Sequence, residues 1–152
     1  MVVDSDRFEL ELTESSMMSD PERAVEVLEL LRAAGFGLSI DDFGTGYSSL
    51  SYLKRFAADH IKIDISFVRN MLTDANDYTI VTTIIAMADS LGLKTTAEGV
   101  EHPEQAQALL ALRCDSAQGH HFGRPETAAA FAKRWLEPPA VATSLTQKAP
   151  GK

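Results

Sequence analysis

Along this chain of 152 residues, strand-like and helix-like segments alternate about five times, with short connections between them. Phe8-Glu9-Leu10-Glu11-Leu12 alternates apolar and acidic residues, the period of a half-buried strand, and ends at Thr13-Glu14-Ser15. Ser19-Asp20-Pro21-Glu22 predicts a helix start, with Pro near the first helical position and acids facing the positive end of the dipole. Ala24, Val27, Leu28 and Leu31 then recur at helical spacing until Gly35. The apolar run Phe36 to Ile40 predicts a second strand closing at Asp41-Asp42. Gly44-Thr45-Gly46-Tyr47-Ser48-Ser49 predicts a loop, and Leu50, Leu53 and Lys54 a short helix. His60-Ile61-Lys62-Ile63-Asp64 reads as the third strand, followed by Phe67-Val68. Ile80, Ile84, Ala88 and Leu91 stripe a helix from about Asp77 to Leu91, with Gly92 as its stop. Leu93 to Ala97 and Cys114 to Ala117 complete the strands, ending at Glu98-Gly99 and Gln118-Gly119. A helix spans roughly Pro103 to Leu112, and another follows Pro125. This rhythm belongs to a parallel sheet with crossover helices, an α/β fold. Residues 137–152, rich in Pro, Ala, Ser, Thr and Lys, are expected to form a disordered tail, leaving 1–136 as one domain.

Composition narrows the partners. A formal net charge of -8 argues against a broad basic surface for DNA, although bound divalent cations let an acidic protein take up phosphates. One cysteine, Cys114, cannot make an internal disulfide, so a reducing, cytoplasmic setting fits best. No apolar stretch is long enough to span a bilayer, so the chain is expected to be cytoplasmic, or the cytosolic part of a larger membrane-anchored protein.

The chemistry lies at the strand ends. Each predicted strand closes on polar or acidic residues: Glu11 or Glu14, Asp41-Asp42, Asp64, Glu98 and Gln118. In a parallel sheet or barrel those ends converge on one face, where active sites lie. So many carboxylates brought together would repel strongly unless cations sat between them. Oxygen-rich carboxylate sites suit Mg²⁺ or Mn²⁺, which points to a metal-assisted hydrolase. Lys62 stands two residues before Asp64, so both face the same side of their strand, where a lysine could orient a water or neutralise a phosphate oxygen.

Plainer readings stand beside these. A single acid at a strand end is ordinarily a helix cap or a solvated turn, and Asp41-Asp42 before a glycine loop is also simple turn chemistry. Lys62 alone would more often be a rim charge. His120 and His121, as neighbours, point apart and suit surface or packing roles. Met17-Met18 suits a loop or packing, and Cys114 a buried apolar position. Gly44 and Gly46 match neither phosphate-loop fingerprint.

Five stretches together closely resemble the EAL family of cyclic di-GMP phosphodiesterases. They are Leu10-Glu11-Leu12-Thr13-Glu14-Ser15, Asp41-Asp42-Phe43-Gly44-Thr45-Gly46-Tyr47-Ser48-Ser49-Leu50, Lys62-Ile63-Asp64, Ala97-Glu98-Gly99-Val100-Glu101, and Cys114-Asp115 with Gln118-Gly119. The resemblance covers residues from about 7 to 125. It implies a (β/α)₈ TIM-like barrel that hydrolyses cyclic di-GMP to linear pGpG with two Mg²⁺ or Mn²⁺ ions. By the same resemblance Glu11, Asp41, Asp42 and Glu98 are metal-site residues, with Asp41 bridging both ions. Lys62 stands near the attacking water, Asp64 and Gln118 line the site, Glu14 braces the loop from Asp42 to Ser49, and Glu101 contacts substrate or water. The loop is similar to one linked to dimerisation, so a homodimer, or fused sensory and diguanylate-cyclase domains, are the expected partners besides cyclic di-GMP. His120-His121 stands where an aromatic pair is more usual.

The resemblance further implies that a Glu-Ala-Leu segment and an asparagine-bearing strand precede Leu10, where nine residues stand. The chain is thus expected to hold about the last five β/α units, a partial barrel with open edges and an uncovered apolar interior, inactive alone. The alternative is a non-catalytic module that binds cyclic di-GMP or a protein partner. An unrelated half-barrel metal hydrolase is the third, weaker reading.

Overall fold

A computed structural model describes residues 4–46 and 50–136, so the tail expected over 137–152 lies outside the described residues, as do 47–49 of the glycine loop. Five strands carry the fold: β1 (Glu9–Thr13), β2 (Gly37–Phe43), β3 (His60–Ile63), β4 (Lys94–Ala97) and β5 (Ser116–Ala117). They pair in sequence order and all in parallel, so β1 and β5 are the edges. Consecutive parallel strands with helices between them are the arrangement of part of a (β/α) barrel.

The helices are α1 (Glu14–Ser19), α2 (Pro21–Ala33), α3 (Leu50–Leu53), α4 (Ile65–Asn70), α5 (Ala75–Leu91), α6 (Pro103–Ala111) and α7 (Ala128–Phe131), the last running into a π-helical turn over Ala132–Leu136. Their starts follow local rules. Asp20 caps α2 through the Arg23 amide with Pro21 in the first turn, and Asp74 caps α5 through the amides of Asn76 and Asp77. At the far end of α5, Gly92 takes the left-handed conformation (φ 73°) that a side chain would oppose.

Two helices escape the sequence reading. Thr13 caps α1 through the Ser16 amide, and this helix buries Met17, the packing alternative of its two readings. Asp64 caps α4, only six residues long, whose Val68 is wholly buried. Both are too short for helical periodicity to register. Cys114 is half-buried, less enclosed than expected, because it lies in the turn ahead of the two-residue edge strand β5.

Register divides the sheet into two faces. Leu10 pairs with Leu38, Leu12 with Ile40, Ile40 with Ile61, and Ile63 with Ala97. This apolar face packs under Leu28 of α2, Val68 of α4, Val81, Ile84 and Ala88 of α5, and Leu109 of α6. Each of these Leu, Ile and Val side chains, once buried, contributes about 1.5–3 kcal/mol. The opposite face carries Glu9, Glu11, Ser39, Asp41, His60, Lys62, Thr96 and Ser116. The expectation of an uncovered apolar interior is therefore corrected: alternation with a period of two sends the aliphatic set to the helices and leaves the inner face polar. Besides scattered exposed residues such as Leu30 and Leu110, a group of exposed apolar side chains lines one cleft after β5, at Phe122, Phe131, Trp135 and Leu136.

Candidate metal and phosphodiester site

The acids gather at the C-terminal end of the sheet, and a backbone irregularity makes that possible. Neighbouring residues of a regular strand point to opposite faces. Between Ile40, paired with Ile61, and Phe43, paired with Ile63, both Asp41 and Asp42 stand opposite Lys62 alone. This is a β-bulge, and Asp42 adopts φ 53°, a left-handed conformation that aspartate tolerates better than most residues. The bulge lets two consecutive carboxylates serve one site. Ligand oxygens of Asp41, Asp42 and Glu98 come within 4.8 Å of one another.

Lys62 lies at the centre. Its Nζ is 2.8 Å from Glu11, 2.7 Å from Glu98 and 3.1 Å from Asp41 Oδ1. Strands β1 and β2 supply Glu11 and Asp41, and the residue after β4 supplies Glu98. Burial by itself would lower the Lys62 pKa, but its donation to the Glu11 and Glu98 carboxylates and the nearby Asp41 carboxylate outweigh it and hold the ammonium well above its ordinary range. Burial and the charges of Asp41 and Asp64 push the Asp42 carboxyl up.

The other residues fall into place around this centre, with one exception. Gln118 donates to Glu98 Oε1 at 2.8 Å, which orients the carboxylate. Asp64 accepts from the Ser66 amide and hydroxyl, so the plain helix-cap reading holds for it even though it adjoins Asp42. Glu14 lies outside the cluster, fully buried, and accepts from the amides of Gly44 and Gly46. Glu101 is the exception. Its amide is tied to Gln105, and its exposed side chain makes no hydrogen bond or ion pair among the described residues. His120 is exposed, and His121 stacks edge-on against Phe122.

Gln105 is the residue that the sequence reading passed over. A glutamine two residues after Pro103, at the third helical position, is a capping signal that could have marked it.

The donor set fits a divalent cation. Like charges about 4 Å apart repel by about 4 kcal/mol near a protein surface, and here one ammonium faces several carboxylates. Asp41 Oδ1, although 3.1 Å from Lys62, is buried without a hydrogen bond. A buried carboxylate oxygen with an ammonium beside it but no well-formed hydrogen bond can still take a cation as ligand. Beside Glu98 and Gln118 a cleft of about 1070 Å³ opens, walled by Gly99, Phe122, Pro125, Phe131 and Trp135.

Comparison with known proteins places this arrangement. The family model described as the EAL domain matches residues 2–125. The chain is 50% identical over 116 residues to the bifunctional diguanylate cyclase/cyclic di-GMP phosphodiesterase MucR of Pseudomonas aeruginosa, covering 76% of this chain and 17% of that protein. It is 48% identical over 123 residues to the cyclic di-GMP phosphodiesterase NbdA of the same organism, covering 81% of this chain and 16% of that one. The chain therefore spans about a sixth of the length of these curated relatives. Among solved structures, the PaMucR phosphodiesterase in complex with c-di-GMP superposes with a TM-score of 0.83 at 46% identity, over 85% of this chain and 52% of that chain. A manganese and cyclic di-GMP complex of Klebsiella pneumoniae BlrP1 gives a TM-score of 0.74 at 37% identity, over 81% of this chain and 31% of that chain.

Proposed function

Because this chain belongs to the EAL domain family, we propose that it forms the metal-bearing part of a cyclic di-GMP phosphodiesterase, which hydrolyses the cyclic dinucleotide to linear pGpG. The observation that carries the reading is the convergence of Glu11, Asp41, Asp42 and Glu98 around Lys62 beside a cleft with room for a nucleotide. Glu11, Asp41, Asp42 and Glu98 would hold Mg²⁺ or Mn²⁺, which when bound activates the water and polarises the phosphate.

The chain's own residues do the rest. Water oxygen bonds to phosphorus, the bond from phosphorus to the ribose 3′ oxygen breaks, and that oxygen takes a proton. Lys62, held protonated by its carboxylate neighbours, donates hydrogen bonds to the water or a phosphate oxygen and cannot serve as the base. The water's proton passes instead to a carboxylate of the cluster. Gln118 fixes Glu98, and Asp64 holds the start of α4 beside Asp42. Glu14 steadies the loop after the bulge through Gly44 and Gly46. Glu101, unengaged and exposed, is free to meet substrate or its water. Residues 1–136 form the domain in this reading, acting in the cytoplasm as a homodimer or beside fused sensory or cyclase domains. No helix among the described residues is long and apolar enough to cross a membrane.

The test is incubation of the purified chain with cyclic di-GMP and Mn²⁺, with pGpG followed by chromatography. Product that disappears in Asp41→Asn supports hydrolysis by this chain. Cyclic di-GMP binding without product, lost in the same variant, would overturn hydrolysis by the chain alone and leave the binding module.

A further inference from the structure

The segments that follow β3 and β4 meet at one buried carboxamide, and the exit of β5 is bonded to the second of them. Gln105 is 2% exposed, although it is a polar residue on a surface helix. Its Oε1 accepts from the Glu101 and His102 amides, each at 2.9 Å. Its Nε2 donates to Val68 O at 2.9 Å and Arg69 O at 3.2 Å. Every donor and acceptor of the side chain is thereby used.

The partners matter more than the count. Val68 and Arg69 lie in the last turn of α4, the helix whose start is capped by Asp64. Glu101 and His102 end the segment that begins at Glu98. Within that segment, the Val100 amide donates to Gln118 O, and its carbonyl accepts from the His121 amide. Gly119 presses so close that a Cβ there would lie 2.2 Å from the Val100 carbonyl oxygen. The exit of β5 is thus seated on the same segment.

We propose that Gln105 is a positioning residue for the site: it locks the Asp64, Glu98 and Gln118 segments into one body and so sets the spacing of the carboxylates. The inference rests on the metal-site reading above. A capping role for α6 alone would need only the acceptor half of the amide. The donor half is spent on another helix, 36 and 37 residues away in sequence.

The experiment compares Gln105→Ala, Gln105→Glu and Leu109→Ala in the full chain. Leu109 is a buried apolar residue of the same helix, so its truncation lowers stability without touching the tether. Gln105→Glu keeps the acceptors for the loop amides but turns a carboxylate oxygen toward the α4 carbonyls. Mn²⁺ affinity is measured by titration under conditions where each variant is folded, and amide hydrogen exchange is measured without metal. Both Gln105 variants should bind Mn²⁺ about tenfold or more weakly, as supporting residues behind a metal site do. The Val100 and His121 amides should exchange faster in both, and in Leu109→Ala neither change should appear. Wild-type affinity and exchange in the Gln105 variants would overturn the proposal, as would equal loosening in Leu109→Ala. A wild-type chain that binds no Mn²⁺ would overturn the metal-site reading, while the exchange comparison would still decide the tether.

Discussion

Glu14 and Gly44 meet across thirty residues of sequence: Oε2 of the buried glutamate accepts the Gly44 amide at 2.9 Å. The same oxygen reaches the Gly46 amide at 3.4 Å. The segment that leaves the bulge at Asp41-Asp42 is therefore fastened to α1, not left to its two glycines.

Glu14→Ala removes that acceptor and strands the Gly44 amide. The expected loss is about 2 kcal/mol, since hydrogen bonds to a charged group contribute roughly 1.5–3 kcal/mol each. Urea unfolding of wild type and variant measures it. A change within about 0.5 kcal/mol, the range of ordinary surface substitutions, would mean the loop does not depend on this contact. Gly46→Ala should also destabilise, because its Cβ would lie 2.9 Å from Glu14 Oε1.

Lys62→Met tests the charge balance of the site. With the ammonium gone, Glu11, Asp41 and Glu98 face one another unrelieved. Removing one partner of a buried charge group costs about 3–5 kcal/mol, so the metal-free variant should melt well below wild type. Mn²⁺ should then raise its melting temperature by more than it raises that of wild type, since the cation replaces the missing positive charge. Equal increments in the two proteins would contradict this.

Asp115 gives a pH signature away from the site. The Lys94 ammonium, 2.6 Å from Oδ1, holds its carboxyl below the usual range, helped by the Thr95 amide and hydroxyl at Oδ2. A depressed folded-state pKa stabilises the protein above the unfolded value near 3.9, and that share is lost as pH falls through the folded value. The gap in urea midpoint between wild type and Asp115→Asn should therefore be widest near pH 6 and narrow as pH drops below about 4. A gap independent of pH would show that the interaction is not one of charge.

Arg113 is the second non-glycine residue with positive φ, at 65° just past the end of α6. Left-handed backbone costs a side-chain-bearing residue roughly 1–2 kcal/mol, against about 0.5–1 kcal/mol of extra chain entropy for glycine. Arg113→Gly should stabilise the chain by up to about 1 kcal/mol in urea unfolding. Destabilisation would reveal a contact made by the guanidinium that outweighs the strain.

Much of this was legible in the residues because it depends on near neighbours. Alternating Glu and Leu over 9–12, the stripe from Ile80 to Leu91 and the caps at Asp20 and Gly92 each act within one or two turns of chain. The acids at the strand ends could likewise be assigned to one face, because parallel strands have one direction. The short helices α1 and α4 were not legible, since a single turn has no period to read.

What the sequence determined by itself, then, is the order of strands and helices and the set of side chains that share the C-terminal end of the sheet. Only the tertiary structure decided how they meet. Asp41 and Asp42 serve one site because β2 bulges against Lys62, which strand alternation forbids and no local pattern announces. Lys62 is caged by groups from separate strands, and Gln105 is anchored to carbonyls more than thirty residues away. Such contacts form only after the chain has closed into a sheet, when burial leaves a polar atom no partner but the one the fold supplies.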